Sequence, residues 1–242
     1  MIKYPDPVRA KNNVLSYMNN QFSEDIGCKI FKSCGFITQD TELGYFRDKN
    51  EKNKVVVGCV DFTQEGANLH EFSKLGNQTM INSRGKINTT IENVLYIIED
   101  NSLIKNKEYL LCAFWDMFVV DALIGNADRH FDNWGILERN GTTRLAPIYD
   151  CGSTLSALMA DIDMDIIMKS SASFKNNEYN VKSCYSLESK RIFYHEIFKN
   201  PPDDLKEAIK RTVPKVNMDK IRDIIDTTPE MSDIRKEYLQ KQ

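Results

Sequence analysis

The chain predicts an α+β fold in two lobes, a small one mixing strands with a helix and a larger helical one. Three observations predict it. Strand-forming segments crowd into the first sixty residues. Apolar residues at steps of three and four dominate after about residue 90. One two-residue hairpin signal, Asn140-Gly141, interrupts the helical part. The lobes divide near Asp61-Phe62, giving residues 1–62 and 63–242.

Met1-Ile-Lys-Tyr reads as a short strand, stopped by Pro5 and Pro7. A polar loop then runs to about residue 20. Phe22, Ile26, Ile30 and Phe31 mark one side of a helix over 22–34, with Gly35 as its stop. Two strands follow, about 37–47 and 54–62, and Val55 to Cys59 is a nearly continuous apolar run typical of a buried strand. After Phe62 the pattern turns helical, and the polar stretch 75–90 reads as a mobile loop. Further helices are expected at 91–99, 107–124, 186–198, 203–212, 218–226 and 230–240. Residues 171–183 are polar and carry no clear period.

Bulk composition narrows the function classes. With 32 basic against 35 acidic residues the net charge is −3, which excludes the basic excess of a dedicated nucleic-acid binder. No apolar run is long enough to span a membrane, and the start lacks the apolar core of a signal peptide. The cysteines at 28, 34, 59, 112, 151 and 184 show no C-x-x-C pairing. They read as reduced, packed thiols of a cytoplasmic protein, not as a zinc site or disulfide frame.

The most specific chemistry lies in Gly125-Asn126-Ala127-Asp128-Arg129-His130-Phe131-Asp132-Asn133-Trp134 and in Ile148-Tyr149-Asp150-Cys151-Gly152-Ser153. Asp128 precedes Asn133 by five residues, and Asp150 stands before a Cys-Gly pair beyond the hairpin. Aspartate, asparagine and second aspartate in that order are how kinases hold a base and two magnesium ligands. The chemistry explains the residue types. An acceptor hydroxyl needs a carboxylate within hydrogen-bond reach to orient it and take its proton. Magnesium wants hard oxygens, usually shared with substrate phosphates. The expected local structure fits: a buried helix over 107–124 ends at Gly125-Asn126, the loop follows, and the hairpin returns Asp150 beside it. Alone, an Asp-x-x-x-x-Asn match carries little, because both residues are common in loops. Helix, polar loop, hairpin and second aspartate together carry the proposal. A magnesium-dependent phosphoesterase could use the same carboxylates.

Longer segments sharpen this. Phe114-Trp-Asp-Met-Phe-Val-Val-Asp-Ala-Leu-Ile-Gly-Asn-Ala-Asp-Arg-His, Leu145-Ala-Pro-Ile-Tyr-Asp-Cys-Gly-Ser, Ser23-Glu-Asp-Ile-Gly-Cys-Lys-Ile-Phe and Val55-Val-Val-Gly-Cys-Val-Asp-Phe resemble the C-terminal kinase domain of HipA-like serine/threonine kinases. The resemblance covers nearly the whole chain. It implies a protein-kinase-like fold, with ATP and Mg2+ as cofactors and a protein hydroxyl as substrate. Asp128 matches the catalytic aspartate, with Asn126 and His130 beside it as further catalytic candidates. Asn133 and Asp150 match the metal ligands. Lys3 matches the strand lysine that contacts ATP phosphates, and Glu24 its paired helix glutamate. Val60, Asp61 and Phe62 match the hinge that meets adenine.

The chain also departs from this pattern. Related kinases carry two strands and a phosphate-covering loop ahead of the lysine strand, whereas here the lysine is residue 3 and no Gly-rich loop occurs in the first twenty residues. The family's phosphorylatable serine in that upstream region has no counterpart. The expected small lobe is therefore truncated. The alternative to an active toxin-type kinase is a pseudokinase or split kinase, a nucleotide-binding module whose partner supplies the missing strands. The family further implies an antitoxin as a partner and translation components as targets. Neither direct nucleic-acid contact nor membrane attachment is expected.

Overall fold

The structure, a computed structural model, describes residues 1–5, 19–47, 49, 53–63, 66–80, 87–187 and 190–242. The chain opens with β1 (Ile2–Lys3), α1 (Asn20–Ser33), β2 (Thr41–Arg47) and β3 (Asn53–Cys59). These strands form an antiparallel sheet in the order β1-β3-β2. The valine-rich strand takes the centre, where Val56, Val57 and Cys59 are buried. α1 packs against β2 and β3 and buries the expected apolar side, Phe22, Ile26, Ile30 and Phe31. It also buries Gln21, Ser23, Glu24 and Asp25, polar groups that need partners in the interior.

The strand expected from residue 37 begins only at Thr41. Before it, Thr38 forms a parallel bridge with Ile148, and the Gln39 amide donates to the Ile148 carbonyl at 2.8 Å. This ties the small sheet to the segment carrying Asp150. The strand expected to reach residue 62 ends at Cys59, and 60–63 leave the ladder. Most of the polar loop before residue 20 and much of the 48–53 turn lie outside the described residues.

The remainder comprises β4 (Asn68–Glu71), α2 (Phe72–Thr79), α3 (Ile91–Asp100), α4 (Lys107–Leu123), β5 (Gly135–Arg139), β6 (Thr142–Leu145), α5 (Asp161–Met168), α6 (Ser171–Tyr179), β7 (Lys182–Leu187), β8 (Lys190–Phe193), α7 (Tyr194–Lys199), α8 (Asp203–Thr212), a 3-10 turn at Val213–Lys215, α9 (Met218–Asp226) and α10 (Asp233–Lys241). α4 is the central helix. Phe114, Trp115, Met117, Phe118 and Val120 are all buried on it, so it is apolar around most of its circumference. Phe72 stacks on Trp134 with ring centroids 3.9 Å apart, and Phe114 lies 5.5 Å from the same indole. These rings seat the start of the hairpin against α2 and α4.

The Asn140-Gly141 turn forms as expected, with positive φ at both residues (51° and 74°) joining β5 and β6. Elsewhere the structure corrects the helical expectation. Residues after Phe62 first form β4, which pairs with β5 in the order β4-β5-β6. Four residues are too few to show a period, and the pairing depends on Gly135, where a Cβ would fall 2.2 Å from the His70 carbonyl oxygen. Of the loop expected over 75–90, residues 75–79 belong to α2, with Leu75 and Gly76 buried, and 81–86 lie outside the described residues. The helix expected over 186–198 divides into the end of β7, β8 and α7. The unpatterned stretch 171–183 contains α6, capped by the Ser170 hydroxyl accepting from the Ser173 amide.

Candidate active site

The site is built from the end of α4. Gly125 takes a positive φ of 63°. Its amide donates to the Ala122 carbonyl at 3.3 Å, and the next amide, of Asn126, reaches the Asp121 carbonyl at 2.8 Å. This paired closure ends a helix cleanly and turns the chain sharply. The fully buried Asn126 then shapes the loop. Its Nδ2 donates to Asp121 Oδ1 at 2.7 Å, its Oδ1 accepts from the Asp128 amide at 3.0 Å, and its carbonyl accepts from the Tyr194 hydroxyl at 2.6 Å. Through these bonds Asn126 ties the loop that carries Asp128 to α4 and Tyr194.

Arg129 holds the loop from below. Its side chain is 0% exposed, and that of its partner Asp121 is 1% exposed. Nε lies 3.0 Å from Asp121 Oδ2, and Nη2 lies 3.1 Å from Oδ1, a two-pronged charge-assisted pair. Nη1 donates to the Asn133 carbonyl at 2.9 Å and also to the Tyr149 carbonyl. One guanidinium thus fastens α4, the residues around Asn133, and the residue before Asp150. Burial opposes the charge on Arg129, yet Asp121 outweighs it and holds the guanidinium pKa well above its usual value. Burial also pushes the Asp121 carboxyl up, against the pull of Arg129.

The Asp128 carboxylate stands clear of this network, 52% exposed. Asn133 donates its Nδ2 to the Asp128 carbonyl at 2.7 Å, which leaves its amide oxygen as the side-chain acceptor. His130 places Nε2 3.8 Å from Asp128 Oδ1, while Nδ1 accepts from the Asp132 amide at 3.2 Å. The imidazole therefore stands beside the carboxylate and braces the loop.

Asp150 comes from the other side, in the left-handed region at φ 56°, an unusual angle for a non-glycine residue. Its Oδ1 accepts from Lys3 Nζ at 2.8 Å, and the same ammonium reaches Glu24 Oε2 at 3.0 Å. The three residues assigned to different parts of a phosphate site thus meet. Burial works against the Lys3 charge, but Glu24 and Asp150 together raise its pKa well above the ordinary lysine value. The other Glu24 oxygen, Oε1, is buried and has no hydrogen-bond partner among the described residues. Ser23 and Thr154 exchange hydrogen bonds with each other's carbonyls at 2.8 and 3.4 Å, so α1 and the Asp150 segment are joined by buried polar bonds.

The expected hinge runs along the edge of this site. Val60 is exposed, but its amide donates to the Asp40 carbonyl at 2.9 Å and its carbonyl accepts from Gln39 Nε2 at 2.8 Å. These bonds leave no free amide on Val60 for a base. Asp61 Oδ1 accepts from the Thr63 amide at 2.8 Å, an Asx turn. Phe62 packs 5.6 Å from the Tyr149 ring, and both lie against a small buried apolar cluster of Ala67, Leu137 and Ala146. Among the described residues no group of three His, Cys, Asp or Glu side chains could hold a metal. The donors present, one carboxylate and one amide oxygen, fit an ion that draws its remaining ligands from phosphates and water.

Sequence reasoning missed Arg129 and Asp121. A signal existed: Asp121 sits in the apolar run Val119-Val120-Asp121, and a carboxylate buried there requires a partner. The Tyr194 contact had no such signal.

Comparison with known proteins shows the family of the chain. A family model described as HipA-like C-terminal domain matches residues 2–220. The chain is 36% identical over 244 residues to the serine/threonine-protein kinase CtkA of Helicobacter pylori, covering 99% of this chain and 73% of that protein. The crystal structure of a Helicobacter pylori proinflammatory kinase CtkA superposes with a TM-score of 0.89 at 36% identity, over 100% of this chain and 81% of that one. HipA from Shewanella oneidensis, in complex with HipB and operator DNA, shares the fold alone, with a TM-score of 0.54 at 12% identity over 99% of this chain and 56% of that one. This chain belongs to the HipA-like C-terminal domain family, alongside a serine/threonine-protein kinase.

Proposed function

We propose that this member of a kinase family is an ATP- and magnesium-dependent protein serine/threonine kinase of the toxin type. The observation that carries the reading is the meeting of Lys3, Glu24 and Asp150, with Arg129 bonding both the Asn133 and Tyr149 carbonyls. Residues 1–62 serve as the small lobe and 63–242 as the large one. Asp128 accepts the hydrogen bond of a protein hydroxyl, orients its oxygen and takes its proton. Lys3, fixed by Glu24, donates to ATP phosphates. Asn133 and Asp150 hold magnesium through their oxygens. Bound magnesium neutralises charge on the phosphates during transfer. Asp61, Phe62 and the apolar cluster beneath them receive the adenine.

The free cysteines support a reducing compartment such as the cytoplasm. Among the described residues no helix is long and apolar enough to cross a membrane. An antitoxin partner belongs to the toxin-type reading and is tested by co-purification with products of neighbouring genes. The direct test is incorporation of labelled γ-phosphate into a protein acceptor with and without EDTA. Label on serine or threonine that EDTA abolishes is expected; no incorporation at any magnesium concentration contradicts the reading.

A second reading is a nucleotide-binding module whose small sheet needs further strands from a partner. Its support is the strand order, in which β1 pairs with β3 on one side only among the described residues. Magnesium-dependent thermal stabilisation by ATP without transfer would favour it.

A further inference from the structure

Beside Asp128 lies a cleft of about 520 Å3 that the phosphate-binding residues do not use. Ala127 and Asp128 form one end, Met159 and Val181 contribute apolar wall, and Arg191 of β8 contributes a cation. Arg191 is anchored by two backbone carbonyls. Nε donates to Ser183 at 2.6 Å, and Nη2 donates to Ala127, the residue immediately before the proposed base. No carboxylate among the described residues pairs with it. A guanidinium has five N–H donors in a rigid plane, so these two bonds fix its orientation and leave donors open to the cleft. Its neighbours explain why it is fixed: β7 and β8 form a two-stranded hairpin, and the Ala127 bond locks that hairpin to the catalytic loop.

We propose that Arg191 selects the protein acceptor, binding the carboxylate of an Asp or Glu close in sequence to the target serine or threonine. This rests on the kinase reading and deepens it. A carboxylate held by Arg191 places the acceptor backbone alongside Ala127. Neighbouring residues are about 3.8 Å apart along the chain, so a hydroxyl a residue or two away reaches Asp128. The apolar wall then receives an aliphatic side chain of the same segment. Arg191 is a specificity and positioning residue, because it touches the acceptor away from the reacting atoms.

The test is an array of serine and threonine peptides carrying Glu, Gln or Lys at each position near the acceptor, phosphorylated by the full chain with magnesium and ATP. Wild type should prefer Glu over Gln at one position by roughly 10-fold in kcat/KM, the scale of a charge-assisted hydrogen bond. Arg191→Gln should erase that preference, chiefly through KM. Arg191→Glu should reverse it toward Lys peptides, an outcome a misfolded variant cannot produce. Phosphorylation without an acidic preference, or with a preference that survives Arg191→Gln, overturns the role of Arg191 and leaves the kinase reading standing. No transfer to any peptide or protein overturns both.

Discussion

The two halves of the site are held in different ways. The Asp128–Asn133 loop rests on a fully buried ion pair, a helix closure and bonds from three elements, and the side chains of Asp128, His130 and Asp132 reach solvent. The Lys3 half rests on a two-residue strand and one ammonium shared between Glu24 and Asp150. The loop is shaped by the fold itself, whereas the lysine is held by charge. A kinase site needs both properties. In the proposed reaction Asp128, as base, must not wander, while Lys3 must exchange protein carboxylates for substrate oxygens.

This contrast can be broken most severely at the buried pair. Arg129→Leu leaves Asp121 buried and unpaired, a loss of about 3–5 kcal/mol. A large fall in melting temperature is expected, with activity lost because the loop is no longer built. Arg129→Lys should rescue little, since an ammonium cannot reproduce the planar fork. Near-normal melting of Arg129→Leu would show that the network does not hold the loop.

Lys3→Met should separate the halves. Turnover should fall by roughly 100-fold or more through lost phosphate contacts. Melting should also fall, because Glu24 is 1% exposed and loses its ammonium, but by less than for Arg129→Leu, which in addition frees the Asn133 and Tyr149 carbonyls. Equal destabilisation by the two variants would erase the distinction between them. The pH dependence has a definite sign. The raised pKa of Lys3 means its stabilising charge is fully present below the ordinary lysine value of about 10.4 and is lost only as pH rises through the higher folded value. Lys3 should therefore contribute no fall in ATP affinity between about pH 7 and pH 9. The check is an ATP titration of wild type and Lys3→Arg across that range; a fall confined to wild type would contradict it.

The mildest expected effect is at His130. His130→Ala should lower kcat by only a few-fold, because the ring braces the loop and the carboxylate stands without it. A loss as deep as that of Asp128→Asn would make the histidine a proton carrier.

Much of this was legible in the chain. The placement of Asp128, Asn133 and Asp150 around a helix end and a hairpin was readable because each element carries a local signal: the apolar period of α4, Gly125 and Asn140-Gly141. The Lys3–Glu24 pairing came from resemblance, since nothing local joins residue 3 to residue 24. β4 was missed because its pairing depends on a distant glycine, and the β7–β8 hairpin because its short strands lack a turn signal as strong as Asn-Gly. The structural duty of Asn126 and the occupied amide of Val60 were invisible for the same reason: hydrogen-bond partners brought together by folding leave no period in sequence.

The central claim is that Asp128 handles the acceptor while Asp150 handles the metal and phosphates of one pocket. Magnesium–ATP affinity and γ-phosphate transfer, measured together on Asp128→Asn and Asp150→Asn, test it most directly. The account predicts that Asp128→Asn binds magnesium–ATP like wild type yet loses transfer by at least ~100-fold, and that Asp150→Asn loses the magnesium-dependent part of binding as well. Undiminished transfer by Asp128→Asn, or magnesium-dependent binding unchanged in Asp150→Asn, would contradict it.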